Sequence, residues 1–549
     1  MTKNIYTLDQ ILWVSAAVGL IFTPWYNLDS LILPKVTLLF ALAMYLLPNL
    51  LTNISFFSIN ATNLILISLA ILFILQMIFA MFFSSAPIEQ QVFGRFGRGL
   101  GFITYFSAII IMLGTALNST ISQIKSLQFA IFITGTLSSI YALLQFYGLD
   151  FFAWTTRTNG IIGTLGNPNF QSSFTALVFL PSLAYIWSTR KHFLILIALA
   201  ILFVFTIYVS GSTQGYIILL ASVSLNFLVF IWYKRKKLFY VLGLAFMFSI
   251  FLVILGMLNK GPLSYYLFKI SLTSRGEFWR TAISAIQDNP FFGVGIDSYG
   301  DFSQFYKSQS TYDGVNEFTD NAHNYFLEFA VTGGVLLAVL YFAILFLALV
   351  SFYNLQKRIG KYDFNLTSIF CFWIGFQMQS LISPGSISLI FWNFIICGFI
   401  IGANSSQIIE PISKINQNKS KNRDYFIRPF SFLLILFSLV ITYPSLKVDN
   451  STLRALQTAD ATLAVKSAMT FPESTVRYSR IGQELLQSKL WPQALEVGRA
   501  AIEFNPGAVS GYLIVLSNPT TPINELKEAQ KMVLQLDPLN MQIRNLKLQ

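Results

Sequence analysis

Only two histidines occur in the 549-residue chain, and one of them, His323, stands in "TDNAHNYFLEF" (319–329) among Asp320, Asn321 and Asn324. A neutral imidazole with an ordinary pKa of about 6.5 takes a proton from a hydroxyl at ambient pH, so His323 is a candidate general base. The plainer reading is a packing or capping histidine, with Asp320 or Asn321 capping the helix that follows. A second group, Arg275, Glu277, Trp279 and Arg280, falls in "SRGEFWR" (274–280). Arg275 and Trp279 are four residues apart and share a helix face, whereas Arg280 is turned about 140° from Arg275 at about 100° per residue. Both guanidiniums cannot meet one small ligand from an undistorted helix, and Arg275 is the expected anion ligand.

Two further cationic stretches fall near the ends of apolar runs. "QVFGRFGRGLGF" (91–102) supplies Arg95 and Arg98, and "LILPKVTLLF" (31–40) supplies Lys35. Lys35 reads either as a lysine snorkelling to headgroups or as a buried anion ligand. Together these residues describe a cationic pocket with one base, which suits a diphosphate bridging lipid and solvent. The chain carries no P-loop, no Rossmann glycine pattern and no paired His or Cys spacing for zinc. No metal and no cofactor is expected.

The elements that must position these residues are set by composition. Hydrophobic residues make up 55% of the chain and charged residues 11%, against about 25% charged in soluble domains. Runs such as 63–83 and 239–258 meet the need for about 20 apolar residues across about 30 Å of hydrocarbon. The expected fold is all-α: a polytopic helical membrane protein with about 13 spans. These lie near 10–24, 30–50, 63–83, 99–118, 126–147, 170–188, 192–210, 215–233, 238–258, 323–353, 364–383, 386–403 and 428–446. On this reading His323 begins the span 323–353. The first run lacks a small-residue cleavage site and reads as a retained helix.

The net charge of +12 is distributed in short gaps between runs, at 190–191, 234–237, 357–361 and 414–423. That is the positive-inside pattern, and it argues against nucleic acid as a partner. With the N-terminus in the cytoplasm, loops 84–98, 148–169, 210–214, 259–322 and 383–386 fall outside, and so does the tail. Domains are therefore expected at 1–446, membrane-embedded with the outer loop 259–322, and at 447–549, helical and extracytoplasmic. Pro472, Pro506 and Pro538 in the tail recur at intervals close to the 34 residues of tetratricopeptide helix pairs. An irregular helical tail is the alternative. Repeats of this kind commonly bind a protein partner.

Three segments carry a resemblance to the O-antigen ligase and polymerase superfamily of bacterial membrane glycosyltransferases. "GIIGTLGNPNFQSSF" (160–174) is similar to its Gly-Asn-Pro-Asn turn. "SRGEFWRTAISAIQDNPFFGVGIDSYGDF" (274–302) resembles its Arg-x-x-x-Trp helix with Asn-Pro-x-x-Gly-x-Gly. "NAHNYFLEFAVTGGVLL" (321–337) resembles its His-Asn-x-x-Leu element. The resemblance implies that His323 activates an acceptor hydroxyl and that Arg275 holds the diphosphate of a polyprenyl-diphosphate-linked glycan donor. The implied reaction is inverting and metal-independent, at the outer face of the bacterial cytoplasmic (inner) membrane. Trp279, Glu277, Asn321 and Asn324 are implied as supporting residues. One position departs from the pattern: "SGSTQGYIILL" (210–220) places Gln214 where many members have an arginine. Lys35, Arg95, Arg98, Arg157 and Arg280 are then the remaining candidates for diphosphate or glycan binding. The acceptor implied is a glycan, a lipid or a protein hydroxyl. The rival readings are a protein O-oligosaccharyltransferase and a transporter or flippase of lipid-linked or anionic solutes. A transporter places its ionisable groups near the bilayer midplane, where this chain has few.

Overall fold

Hydrocarbon offers no partner to a backbone N–H or C=O, so a segment that crosses it closes its own hydrogen bonds as a helix. The computed structural model of the chain describes residues 7–53, 60–152, 154, 160–189, 193–267, 270–308, 319–406 and 417–548, and among them there are helices and no strand. Ahead of the long loop lie α1 (Leu8–Leu20), α2 (Leu33–Asn53), α3 (Ala61–Phe83), the short α4 (Ile88–Phe93), α5 (Phe102–Asn118), α6 (Ile124–Phe146), α7 (Pro168–Ser188), α8 (Phe193–Val209), α9 (Thr213–Lys234) and α10 (Lys236–Met257). The loop itself contains α11 (Ile270–Asp288). After it come α12 (Tyr325–Gly333), α13 (Val335–Ile359), α14 (Phe364–Ser380), α15 (Ile387–Ser406) and α16 (Gln417–Thr458).

Twelve of the thirteen expected apolar runs each contain one helix, and the run 323–353 contains two. Among the described residues nine helices are long and apolar enough to cross a bilayer, while α1, α5, α8 and α14 have 13 to 17 residues. The chain is a polytopic all-α membrane protein. α15 is its axis, with every side chain from Ile387 to Ser405 buried and with α5 and α13 packed on it. α10 is the opposite case: Gly256 is its one buried residue, and Val241, Leu244, Met247 and Phe251 point outward. An apolar surface of that extent suits lipid contact.

One span departs from expectation. The run 323–353 is two helices, because Gly334 has φ +85° and ends α12. A Cβ there would stand 2.1 Å from the Phe291 carbonyl oxygen, so only glycine lets the loop backbone approach. The Val335 N–H donates to Pro290 O at 2.9 Å, and Val294 N–H donates to Val331 O at 2.8 Å. His323 therefore lies in a loop ahead of a nine-residue helix, and the span proper starts at Val335. The cap of α12 is Asn324, whose side chain accepts the Phe326 and Leu327 N–H groups, rather than Asp320 or Asn321.

α16 runs without a break past residue 446 into the tail. There α17 (Ala461–Ala468), α18 (Thr475–Gln487), α19 (Trp491–Phe504), α20 (Val509–Leu516) and α21 (Ile523–Leu536) pack in succession. Tyr478, Ile481, Leu485, Ala494 and Val497 form one small core, and Val509, Tyr512, Val515, Ala529 and Val533 form the next.

Candidate functional site

Loops that are far apart in sequence converge at one end of the bundle. The turn at 94–101 is the hub. Its Arg95 and Leu100 N–H groups donate to Asp297 Oδ2 at 2.7 and 2.8 Å, and its Gly97 N–H donates to Asp29 Oδ2 at 3.0 Å. The Arg95 guanidinium pairs with Asp301, the two side chains being 6% and 2% exposed. It lies over Gly300, where a Cβ would come 3.2 Å from Arg95 Cζ and 2.8 Å from Asp320 Cα. Arg98 holds Asp320 through two bonds of 2.9 Å in the fork geometry that suits a carboxylate.

His323 has φ +53°, a conformation that a non-glycine residue adopts only when its surroundings hold it there. Its N–H donates to Asn321 Oδ1 at 2.8 Å, and the preceding Ala322 N–H donates to Glu328 Oε2 at 2.8 Å. His323 Nδ1 is 3.0 Å from Asn321 O. A carbonyl oxygen can only accept, so the proton is on Nδ1 and Nε2 keeps its lone pair. The imidazole packs on Phe278 of α11 at 5.3 Å between ring centroids. Burial lowers its pKa to about 4. The Asn321 carbonyl and Asp320 work against that shift, while Arg98 and Arg275 add to it. Burial alone would raise the Asp320 carboxyl, but Arg98, Arg95 and His323 outweigh it and hold it down to about 2. For Asp297, burial prevails over its two N–H donors and both arginines, and the carboxyl rises to about 7.

On α11, Arg275 and Arg280 part as the helical angle requires. Arg280 is exposed and pairs with Glu277. Arg275 is mostly enclosed, and burial lowers its pKa. Its Nη1 has no hydrogen-bond partner among the described residues, and the same holds for Trp279 Nε1 and Asn321 Nδ2. These three groups only donate. Near a neutral imidazole, then, Arg275 and Asn321 offer unmet N–H donors suited to an oxygen-rich anion, and Trp279 adds a third on the same helix as Arg275.

Residues 172–342 match the family model described as O-antigen ligase. A comparison with curated proteins gives no match. The match supports the O-antigen ligase superfamily of glycosyltransferase-type enzymes. The O-antigen ligase segment contains Gln214, Arg275, Trp279, Asn321, His323 and Glu328, while Lys35, Arg95 and Arg98 come from α2 and the turn before α5, outside it.

The remaining expected residues are placed as follows. Gln214 begins α9, and its Oε1 accepts the Ser383 hydroxyl at 3.1 Å. Ser383, Tyr325, Gln379 and Ser386 line a cavity of about 10 Å³, room for one water. Lys35 does not snorkel: it is 1% exposed and donates to Thr164 O at 2.5 Å and to Ser388 Oγ at 2.8 Å. Arg157 lies outside the described residues, as do residues 309–318 of the long loop. Arg280 stands apart from the His323 cluster. The expected cationic pocket is in fact charge-balanced at Arg95 and Arg98, because Asp297, Asp301, Asp320 and Glu328 are gathered around it. Those acids were not singled out as partners. The one signal for Asp297 and Asp301 was their place in "GIDSYGDF", directly after the glycine motif.

Proposed function

We propose that the chain moves a glycan from a polyprenyl-diphosphate carrier to an acceptor hydroxyl, as a glycosyltransferase of O-antigen ligase or polymerase type. The converging loops would then lie at the extracytoplasmic face of the bacterial cytoplasmic membrane. The observation that carries this reading is the pairing of a neutral imidazole, its Nδ1–H already engaged, with an enclosed and incompletely bonded Arg275 guanidinium. His323 Nε2 takes the proton of the acceptor hydroxyl as that oxygen bonds to the anomeric carbon. The bond from that carbon to the diphosphate breaks, and the released polyprenyl diphosphate keeps the electron pair. Arg275, with Trp279 Nε1 and Asn321 Nδ2, offers donors to the charge that develops on the leaving group. A single displacement of this kind inverts the anomeric centre. Membrane lipid presents the carrier, and the tail, whose helix-pair period resembles tetratricopeptide repeats, serves as a folded support on the same side.

The test is release of polyprenyl diphosphate by purified protein given a polyprenyl-diphosphate oligosaccharide and a panel of glycan, lipid and peptide acceptors. Acceptor-dependent release that falls by at least about 100-fold in His323→Ala supports the reading. Arg275→Ala should then retain acceptor binding while losing affinity for the donor. Release that is independent of acceptor, or equal in wild type and His323→Ala, would remove His323 from the chemistry.

A further inference from the structure

We propose that Thr475 and Asn505, in the C-terminal helical unit, are positioning residues of the site: they hold Asp301 on Arg95 and so fix the turn that faces His323. Asp301 Oδ1 is taken by Arg95. Its Oδ2 receives Gln90 Nε2 at 2.7 Å, Asn505 Nδ2 at 2.9 Å and the Thr475 hydroxyl at 3.3 Å. All three donors lie more than 170 residues away in sequence, and two of them come from the tail. These two are also bonded to each other, Asn505 Nδ2 to Thr475 Oγ1 at 3.0 Å, and the single Thr475 hydroxyl proton is shared between Asp301 Oδ2 at 3.3 Å and Gln90 Oε1 at 3.0 Å. Thr475, Asn505 and Gln90 are all buried. The tail is thus not merely resting on the bundle; it supplies two of the three donors on Oδ2 of a buried ion pair's carboxylate.

Neighbouring contacts fix the same joint. The Glu473 N–H donates to Glu89 Oε2 at 2.6 Å, and Phe471 packs edge-on against Phe93 at 5.7 Å. The path inward is short. Arg95 and the Asp320 backbone both pack on Gly300, Asp320 is held by Arg98, and the charges of Asp320 and Arg98 both act on the His323 imidazole. A carboxylate deprived of two donors in a buried site recovers them by moving or by taking in water. Either response releases Arg95 and lets the 94–101 turn shift. A tail that only docks would have no such consequence.

The inference rests on the transferase reading for one of its two measurements. In full-length protein, Thr475→Val and Asn505→Ala should each speed backbone hydrogen exchange across 94–101 and lower kcat/KM for the lipid-linked donor by about tenfold. Thr475→Ser, which keeps the hydroxyl, should behave as wild type, and so should Arg499→Ala, which breaks only the surface pair with Glu525. In an Asp301→Asn background the two tail substitutions should cost nothing further; Arg95→Lys is the second background if Asp301→Asn does not fold. Unchanged exchange at 94–101, or losses that multiply in both backgrounds, would overturn the proposal. If wild type transfers from no donor, the transferase reading fails, and the exchange measurement alone decides whether the tail holds the turn.

Discussion

In the proposed reaction His323 serves as a base through what its neighbours do to it rather than by its own chemistry. The Asn321 carbonyl fixes the tautomer, and burial keeps the ring neutral, with a pKa of about 4. For the free enzyme the acid limb of kcat/KM should therefore lie well below 6.5. An anionic donor beside the ring favours imidazolium, so the limb of kcat should stand higher than that of kcat/KM. Measured profiles with both limbs at about 6.5 would mean that an ordinary exposed histidine is titrating. The same shift bears on folding. The folded pKa is below the unfolded one, so this contribution is fully present above about 6.5 and is lost as pH falls toward about 4. The ion pairs separate by burial. Asp301→Ala removes the ion-pair partner of the Arg95 guanidinium at 6% exposure and should cost about 3–5 kcal/mol. Asp320→Ala leaves Arg98 at 20% exposure, able to reach water, and should cost less. Unfolding midpoints in detergent that rank the two the other way would contradict this account of burial.

At the scale of elements, the helices and motifs could be read locally, and the loops that connect them could not. Hydropathy runs fix where helices form because crossing hydrocarbon permits little else. The divergence of Arg275 from Arg280 followed from helical geometry alone. The break at Gly334 escaped because two glycines barely lower the hydropathy of the run in which they fall. What requires the break is the carbonyl of Phe291, 43 residues earlier in the chain. The acids around Arg95 and Arg98 escaped for the same reason: Asp297, Asp301 and Asp320 lie about 200 residues from the arginines and meet them only through packing. Gly334→Ala tests the break directly. With φ at +85° and a clash with backbone, it should cost at least about 1–3 kcal/mol. Because α12 follows directly on the His323 loop, transfer should fall along with stability. An unchanged unfolding midpoint would mean that the two helices can straighten into one.

For the whole molecule, the question is what joins the tail to the bundle, and the Asp301 node is not the sole joint. At another, Asp29 of the α1–α2 loop meets Asp449 near the end of α16. Asp449 Oδ2 accepts the Asp29 N–H and Asn27 Nδ2, both at 3.1 Å, while Asp29 Oδ2 accepts Gly97 N–H of the hub turn. Burial, then the Asp449 charge, pushes the Asp29 carboxyl up to about 7, against the N–H groups of Gly97 and Ile32 and the Lys35 charge. Arg477 of the tail faces the pair from the Asp449 side. A proton on Asp29 removes its repulsion with the Asp449 carboxylate. The folded pKa of Asp29 is raised, so its stabilisation is complete below the unfolded value of about 3.8 and is lost as pH rises through about 7. His323 has the opposite sign over part of that range, so the raw pH profile mixes the two, and a substitution is needed to separate them. Asp29→Asn keeps an oxygen to accept Gly97 N–H and supplies a permanent N–H toward Asp449. It should raise the unfolding midpoint most at pH 8, where the native pair repels, and less at pH 5, where the folded carboxyl is protonated and only the unfolded one is ionised. An equal shift at both pH values would show that the fold does not hold Asp29 protonated and that its charge plays no part in this joint.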